Sequence, residues 1–328
     1  MNEKKNVWQR LTAKRGMGQV ITAFCGVIIL MIIFTIMNQN FASPHNLLSL
    51  LRQICPYLLV GIGQAFVCIT GNIDLSIGSV IGMSSMISAT LMCNGVHPVF
   101  AVLVALVACM AVGVANGILV GKFKLPPFIA TLGTMTIGRG IAQIVNGNYN
   151  TGDIGQGAAE VFRNIFYYGK TLGIYNGVWI TLVIWIVFNF ILSSTKSGRH
   201  IYAIGSNADA AQLSGVNVFI TTTKAYLVSA FCAFTTGLII MAAAGMGAMD
   251  AGTSYEMYAV ASAVIGGVST LCGSGLLVGV IAGAGVWAVL QNGLTFANAP
   301  VAIKNIVIGV IVVVCVLMDI IRSNGRKA

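Results

Sequence analysis

A carboxylate set between two apolar runs is the first feature that asks for a chemical reason. In Gly71–Ser79, GNIDLSIGS, Asp74 is bracketed by the hydrogen-bonding side chains of Asn72, Ser76 and Ser79. A charge at membrane depth costs about 2.5–3.5 kcal/mol on insertion scales unless it is partnered or wet. Two roles suit it. The carboxylate caps a helix beginning near Leu75 by accepting its free backbone N–H groups, or it lines a polar route and touches a solute. Both hold if the capped helix end borders that route. Arg139 is the other charge within an apolar run, and an Asp74–Arg139 pair would serve an ion-coupled secondary transporter.

The second chemical segment is Ala203–Val218, AIGSNADAAQLSGVNV. Asn207 or Ser206 can cap a short helix over 208–214, and Gly215 suits the position just past its end. Such a small-faced helix is either a groove-seated docking element or an ordinary connector. Other chemistries lack their parts. The stretch nearest to a phosphate-cradling loop, NIFYYGKT at Asn164–Thr171, has asparagine where the first glycine belongs, so no nucleotide hydrolysis is expected of the chain itself. No catalytic residue, metal site or bound cofactor is expected. The three histidines, 45, 97 and 200, are far apart, and the eight cysteines include no C-x-x-C pair.

The elements that position these residues must be membrane helices. Of 328 residues, 57% are hydrophobic and 8% are charged, with a mean hydropathy of +0.90. A soluble chain carries about 25% charged residues. Apolar runs of about 20 residues cross a hydrocarbon core as helices, because backbone groups in lipid must bond internally. Hydropathy places spans near 19–37, 56–71, 75–93, 98–120, 127–145, 176–194, 222–245, 257–271, 274–295 and 303–321. The fold class expected is all-α integral membrane, with about ten spans and breaks at 71–79 and 266–275. Broken helices of this kind tend to line a transport route. The first run, Val20–Met37, is too long for a signal core and reads as a retained anchor.

Charge orients the set. The net charge of +10 lies at span ends, which argues for membrane orientation and against nucleic acid. Thirteen basic residues fall on one side: 4, 5, 10, 14 and 15, then 122 and 124, then 196, 199 and 224, then 322, 326 and 327. Only Arg52, Arg163, Lys170 and Lys304 fall on the other. Basic residues mark the cytoplasmic side, so both termini are expected inside. The polar loop Gly147–Tyr175 is then outside and Thr195–Thr223 inside.

Four ordered segments carry a resemblance. GNIDLSIGS at 71–79, PFIATLGTM at Pro127–Met135 with GRG at Gly138–Gly140, AIGSNADAAQLSGVNV at 203–218, and GTSYEMYAVASAVIGG at Gly252–Gly267 with Gly273–Gly275 are similar to the permease subunits of bacterial ATP-binding cassette sugar importers, particularly the ribose type. The resemblance covers nearly the whole chain. It implies a single permease domain over 1–328, with a cytoplasmic N-terminal segment at 1–18, a cytoplasmic coupling loop at 195–223 and a cytoplasmic tail at 322–328.

It also implies partners. These are a second permease copy or sister permease, an ATPase that holds ATP-Mg, an extracytoplasmic sugar-binding protein and the bacterial inner membrane. The coupling loop would engage the ATPase through Gly205, Asn207, Asp209, Ala210, Ala211, Ser214 and Gly215. Candidates for the route or its gate are Asn72, Asp74, Ser76, Phe128, Thr131, Tyr255 and Glu256. Two departures bear on the substrate: Tyr258 stands where many relatives have an acidic residue, and Cys272 where they often have glycine. Ribose is the expected cargo, with another sugar, inositol, autoinducer-2 or a nucleoside as alternatives.

Overall fold

The computed structural model describes residues 17–155, 157–269 and 273–300, with scattered positions from 302 to 317. Residues 1–16 of the N-terminal segment and the tail expected on the cytoplasmic side, about half of the span expected at 303–321, and Cys272 lie outside the described residues. The first helix, α1 (Met17–Met37), ends in a 3-10 turn over Gln39–Ala42. Ser43 then accepts from the Asn46 N–H at 3.3 Å, and Pro44 occupies the first turn of α2 (Pro44–Ile69), where its missing N–H costs nothing.

This corrects the span expected at 56–71. Hydropathy misses the first half of α2 because Asn46, Arg52 and Gln53 are polar, yet they face protein partners and not lipid. Next come α3 (Ile77–Cys93), α4 (Pro98–Gly121) and α5 (Pro127–Ile144). The loop expected at 147–175 holds α6 (Ala158–Arg163), a π turn at Asn164–Tyr168 and an antiparallel pair, β1 (Lys170–Thr171) with β2 (Ile174–Tyr175). After α7 (Asn176–Ser194), the loop expected at 195–223 forms α8 (Lys196–Ser206), α9 (Ala208–Leu213) and the start of α10 (Val218–Ala244). Two more helices follow, α11 (Tyr255–Ile265) and α12 (Leu277–Phe296).

Among the described residues, six helices are long and apolar enough to cross a membrane: α1, α2, α4, α7, α10 and α12. With α11 at 11 residues and a rise of 1.5 Å per residue, it covers about half of a 30 Å core. The span expected at 257–271 is therefore a half-helix ending in the Gly266–Gly267 turn. At the other break, residues 72–75 are non-helical, between the end of α2 and the start of α3.

The core is formed by α2, α3, α10 and α12, whose largest fully buried side chains include Trp287, Tyr226 and Phe66. The outer helices α1 and α7 expose Ile28, Ile32, Ile36, Val183, Ile186 and Phe190. In lipid these side chains are already in their preferred medium, so helix pairing depends on close backbone approach and polar contacts. Small residues supply that approach. A methyl at Gly113 would lie 2.9 Å from Ala230 and 3.0 Å from the Tyr226 carbonyl, which keeps α4 tight on α10. At Gly279 and Gly283 it would strike the carbonyls of Gly266 and Ser262, which keeps α12 tight on α11.

Candidate functional site

The break before α3 is held by a buried polar network. Asp74 accepts from the Ser76 N–H at 2.9 Å, the Ser76 hydroxyl at 2.6 Å and the Ser229 hydroxyl of α10 at 2.7 Å. Asn116 of α4 donates to Ser76 Oγ at 2.9 Å, and Thr134 of α5 donates to Asn116 Oδ1 at 2.7 Å. Tyr226 of α10 donates to the Ile73 carbonyl at 3.1 Å. Four helices thus converge on one carboxylate that is 2% exposed. The helix starts at Ile77, two residues later than Leu75, and Asp74 accepts from the N–H of Ser76, the residue just before it. Sequence reasoning had no way to find Ser229, Asn116 or Thr134, which come from distant parts of the chain.

Arg139 lies elsewhere. Its Nη1 donates to the carbonyls of Met249 and Ala251, each at 2.9 Å. Among the described residues Asp74 bonds to Ser76 and Ser229 alone, so the structure does not pair it with Arg139 as the ion-coupled alternative requires. Glu256 sits against Gly78 of α3, where an added methyl would meet its carboxylate.

The loop at 195–223 meets both breaks. Gly205 of α8 abuts the Ile69 carbonyl at the end of α2, and a methyl there would also lie 2.8 Å from Gly273 in the second break. Tyr202, one turn earlier, donates to the Gly275 carbonyl at 2.7 Å. Burial pushes the Tyr202 phenol up to about 12, which keeps that donor protonated at neutral pH. Next to this contact, Asn207 Oδ1 accepts from the Ala210 N–H at 2.9 Å and caps α9. Gly215 closes α9 at φ +84°, a left-handed conformation that favours glycine.

A cavity of about 660 Å³ opens between α9 and the membrane helices. Asn72 of the first break lines it together with Asp209, Gln212 and Gly215. The cavity therefore gathers Asn72 with Asp209 and Gly215, and Gly205 and Asn207 lie in the chain between its wall residues Ile204 and Ala208, while Ala211 is the buried residue of α9 and Ser214 donates back to the Ala210 carbonyl. It leaves Phe128, which is exposed at the start of α5, and Thr131, which donates to the Pro127 carbonyl, apart from that cluster.

Tyr255 lies towards the opposite end, in an aromatic group that the sequence did not announce. Its ring stacks on Tyr57 of α2 with centroids 5.8 Å apart and planes 14° apart. Tyr258 stands edge-on to both at 5.4 Å and packs 5.3 Å from Trp287. Beside them the Arg52 guanidinium is sandwiched between Tyr167 at 4.0 Å and Tyr175 at 4.1 Å.

These features sit on a frame that other proteins share. The family model described as branched-chain amino acid transport system / permease component matches residues 46–316. The chain belongs to this permease family. It is 34% identical over 305 residues to the ribose import permease protein of Bacillus subtilis (strain 168), covering 93% of this chain and 94% of that one. Against the ribose import permease protein of Escherichia coli (strain K12) the identity is 33%, covering 89% and 91%. The D-allose transport system permease protein of the same strain is 31% identical, with 92% of each chain covered. No solved structure matches the permease. The resemblance read from the four ordered segments is borne out, and the permease is a multi-pass membrane protein.

Proposed function

We propose that the permease is the membrane subunit of an ATP-driven importer that brings a monosaccharide, D-ribose or a close relative, into the cytoplasm. The observation that carries this reading is the similarity to ribose import permeases along nine-tenths of both chains. The family description names branched-chain amino acids, but the similar permeases are named for ribose, D-allose, L-arabinose and autoinducer 2, and those for ribose and D-allose are more identical to this chain than the other two. The helical bundle suits a neutral polar solute, since its buried polar groups are mainly hydroxyls and amides.

In this reading the permease does no covalent chemistry. ATP-Mg is held by a partner ATPase docked on α8 and α9, a sugar-binding protein delivers cargo to the opposite face, and a second permease copy or sister permease completes the channel. Both termini lie inside. ATP binding moves the ATPase pair, α8 carries the displacement to the ends of α2 and the second break, and the bundle shifts between two packings. Transport is directional because nucleotide state favours one packing over the other.

The test is uptake of labelled D-ribose by cells that express the permease with its own ATPase and binding protein and lack other ribose importers. Uptake that unlabelled D-ribose or D-allose suppresses and L-leucine does not is the expected result. Suppression by L-leucine alone would refute the sugar reading.

A further inference from the structure

We propose that the aromatic cavity bordered by Arg52, Pro56, Tyr57, Tyr167 and Tyr255 is a contact site for a single neutral monosaccharide during its passage. The proposal rests on the sugar-import reading and adds the place and the chemistry of contact. The cavity has a volume of about 190 Å³. That is below the roughly 300–1,000 Å³ of sites for drug-sized ligands, so it fits one small solute and excludes an oligosaccharide.

Its walls supply what a sugar requires. A monosaccharide presents apolar C–H faces and a rim of hydroxyls. The Tyr57 and Tyr255 rings line the cavity with aromatic surface, and each carries a phenol hydroxyl able to donate to or accept from a sugar hydroxyl. Tyr258 and Trp287 pack behind them, which limits the rings' freedom before any solute arrives. A preordered site loses less conformational entropy on binding.

Polar groups stand ready beside the rings. The Arg52 guanidinium is fixed between two tyrosine faces, and its Nε–H is shielded from water with no acceptor. A buried donor left unpaired is destabilising, and a passing hydroxyl oxygen would satisfy it. Pro56, inside α2, has no N–H to give to the Arg52 carbonyl one turn back, which leaves an acceptor beside that donor. Gln53, a further wall residue, is already held by Ser49 at 3.2 Å and Asn292 at 3.2 Å.

The charge of the lining selects the class of solute. Its only ionisable groups are Arg52 and tyrosines, with Ile239, Ile240 and Ala243 completing the wall. The ammonium of an amino-acid zwitterion would find no carboxylate there, whereas a neutral polyol brings no charge of its own that needs a partner, and the Arg52 guanidinium is already faced by the Tyr167 and Tyr175 rings. Position ties the cavity to the drive. Tyr255 opens α11, and the same half-helix ends at the Gly266–Gly267 turn that leads into the break bonded to α8 through Tyr202. A shift at α8 therefore has a short rigid path to one wall of the cavity.

The experiment uses the permease reconstituted in vesicles with its ATPase and binding protein, with D-ribose as the probe. Uptake at saturating sugar and ATP hydrolysis are measured together in wild type, Tyr57→Leu, Tyr57→Phe and Tyr255→Leu. The two leucine variants are expected to lose about tenfold in uptake, the equivalent of one or two hydrogen bonds. ATP hydrolysis stimulated by the loaded binding protein should stay within about twofold, so that sugar moved per ATP falls. Tyr57→Phe, which keeps the ring, should lose only about threefold. Unchanged uptake in both leucine variants overturns the site, and so does a parallel fall in uptake and hydrolysis, which marks a packing role. A wild-type complex that moves no monosaccharide refutes the import reading itself and the site with it.

Discussion

Replacing Asp74 by alanine should damage folding more than it damages transport by the molecules that do fold. The carboxylate accepts three hydrogen bonds, two from Ser76 and one from Ser229, at 2.6–2.9 Å. Bonds to charged groups contribute about 1.5–3 kcal/mol each, but the three share one acceptor and do not add. Removing the carboxylate also removes the desolvation cost of a buried charge. The Ser76 N–H and the Ser229 hydroxyl would be left without their acceptor. A net loss of about 2–4 kcal/mol is expected, a large part of the roughly 5–15 kcal/mol that holds a typical domain together. Asp74→Asn should lose only about 1 kcal/mol, because the amide oxygen can still accept from Ser76 and the Ser229 hydroxyl can rotate to accept from the amide. The assay is folded yield and thermal midpoint in detergent, alongside uptake per folded molecule. An alanine variant with normal yield and midpoint but abolished uptake would refute the structural role and place the carboxylate on the route.

Further outcomes follow from the close contacts. Gly205→Ala would press a methyl onto the Ile69 carbonyl. It should cost about 1–3 kcal/mol as overpacking, read as a lower thermal midpoint, and should reduce uptake per ATP by separating α8 from the two breaks. Tyr202→Phe removes the hydrogen bond to Gly275 and should cost about 1 kcal/mol, with uptake falling more than ATPase docking. Gly215→Val places a branched residue at φ +84°, where nothing else crowds it. The strain of about 1–2 kcal/mol should loosen the end of α9 and weaken ATPase co-purification, and normal docking with normal uptake would remove α9 from the coupling role. Asn292→Leu breaks the reciprocal amide bonds with Asn46 at 3.0 and 3.1 Å and should lower the midpoint by an amount equivalent to about 1–2 kcal/mol.

How much of this was legible in the sequence depends on what each residue faces. The span read at 176–194 coincides with α7, and that at 98–120 with α4 to within one residue, because lipid-facing helices are apolar almost all round. The first half of α2 was not legible, because Asn46 and Gln53 find their partner in Asn292, more than two hundred residues away. Both breaks were visible as glycine-rich interruptions, and the short helix over 208–214 appears as α9 with Asn207 as its cap and Gly215 at its end. The sequence did not reveal that α8 touches both breaks, since Gly205, Ile69 and Gly273 have no pattern in common. The tyrosine cluster was hidden for the same reason. Tyr57 looked like one more residue of an apolar run, and Arg52 like a basic residue at a span end.

The central claim is that motive force reaches this helix bundle from a partner ATPase through the inner loop. The most direct measurement is labelled D-ribose uptake into vesicles containing the permease, its ATPase and its binding protein, with ATP or with a proton or sodium gradient as the only energy source. Uptake that needs ATP and all three proteins, and that the gradient alone does not support, is the predicted result. Uptake by the permease alone under an ion gradient, unaffected by ATP, would contradict the account.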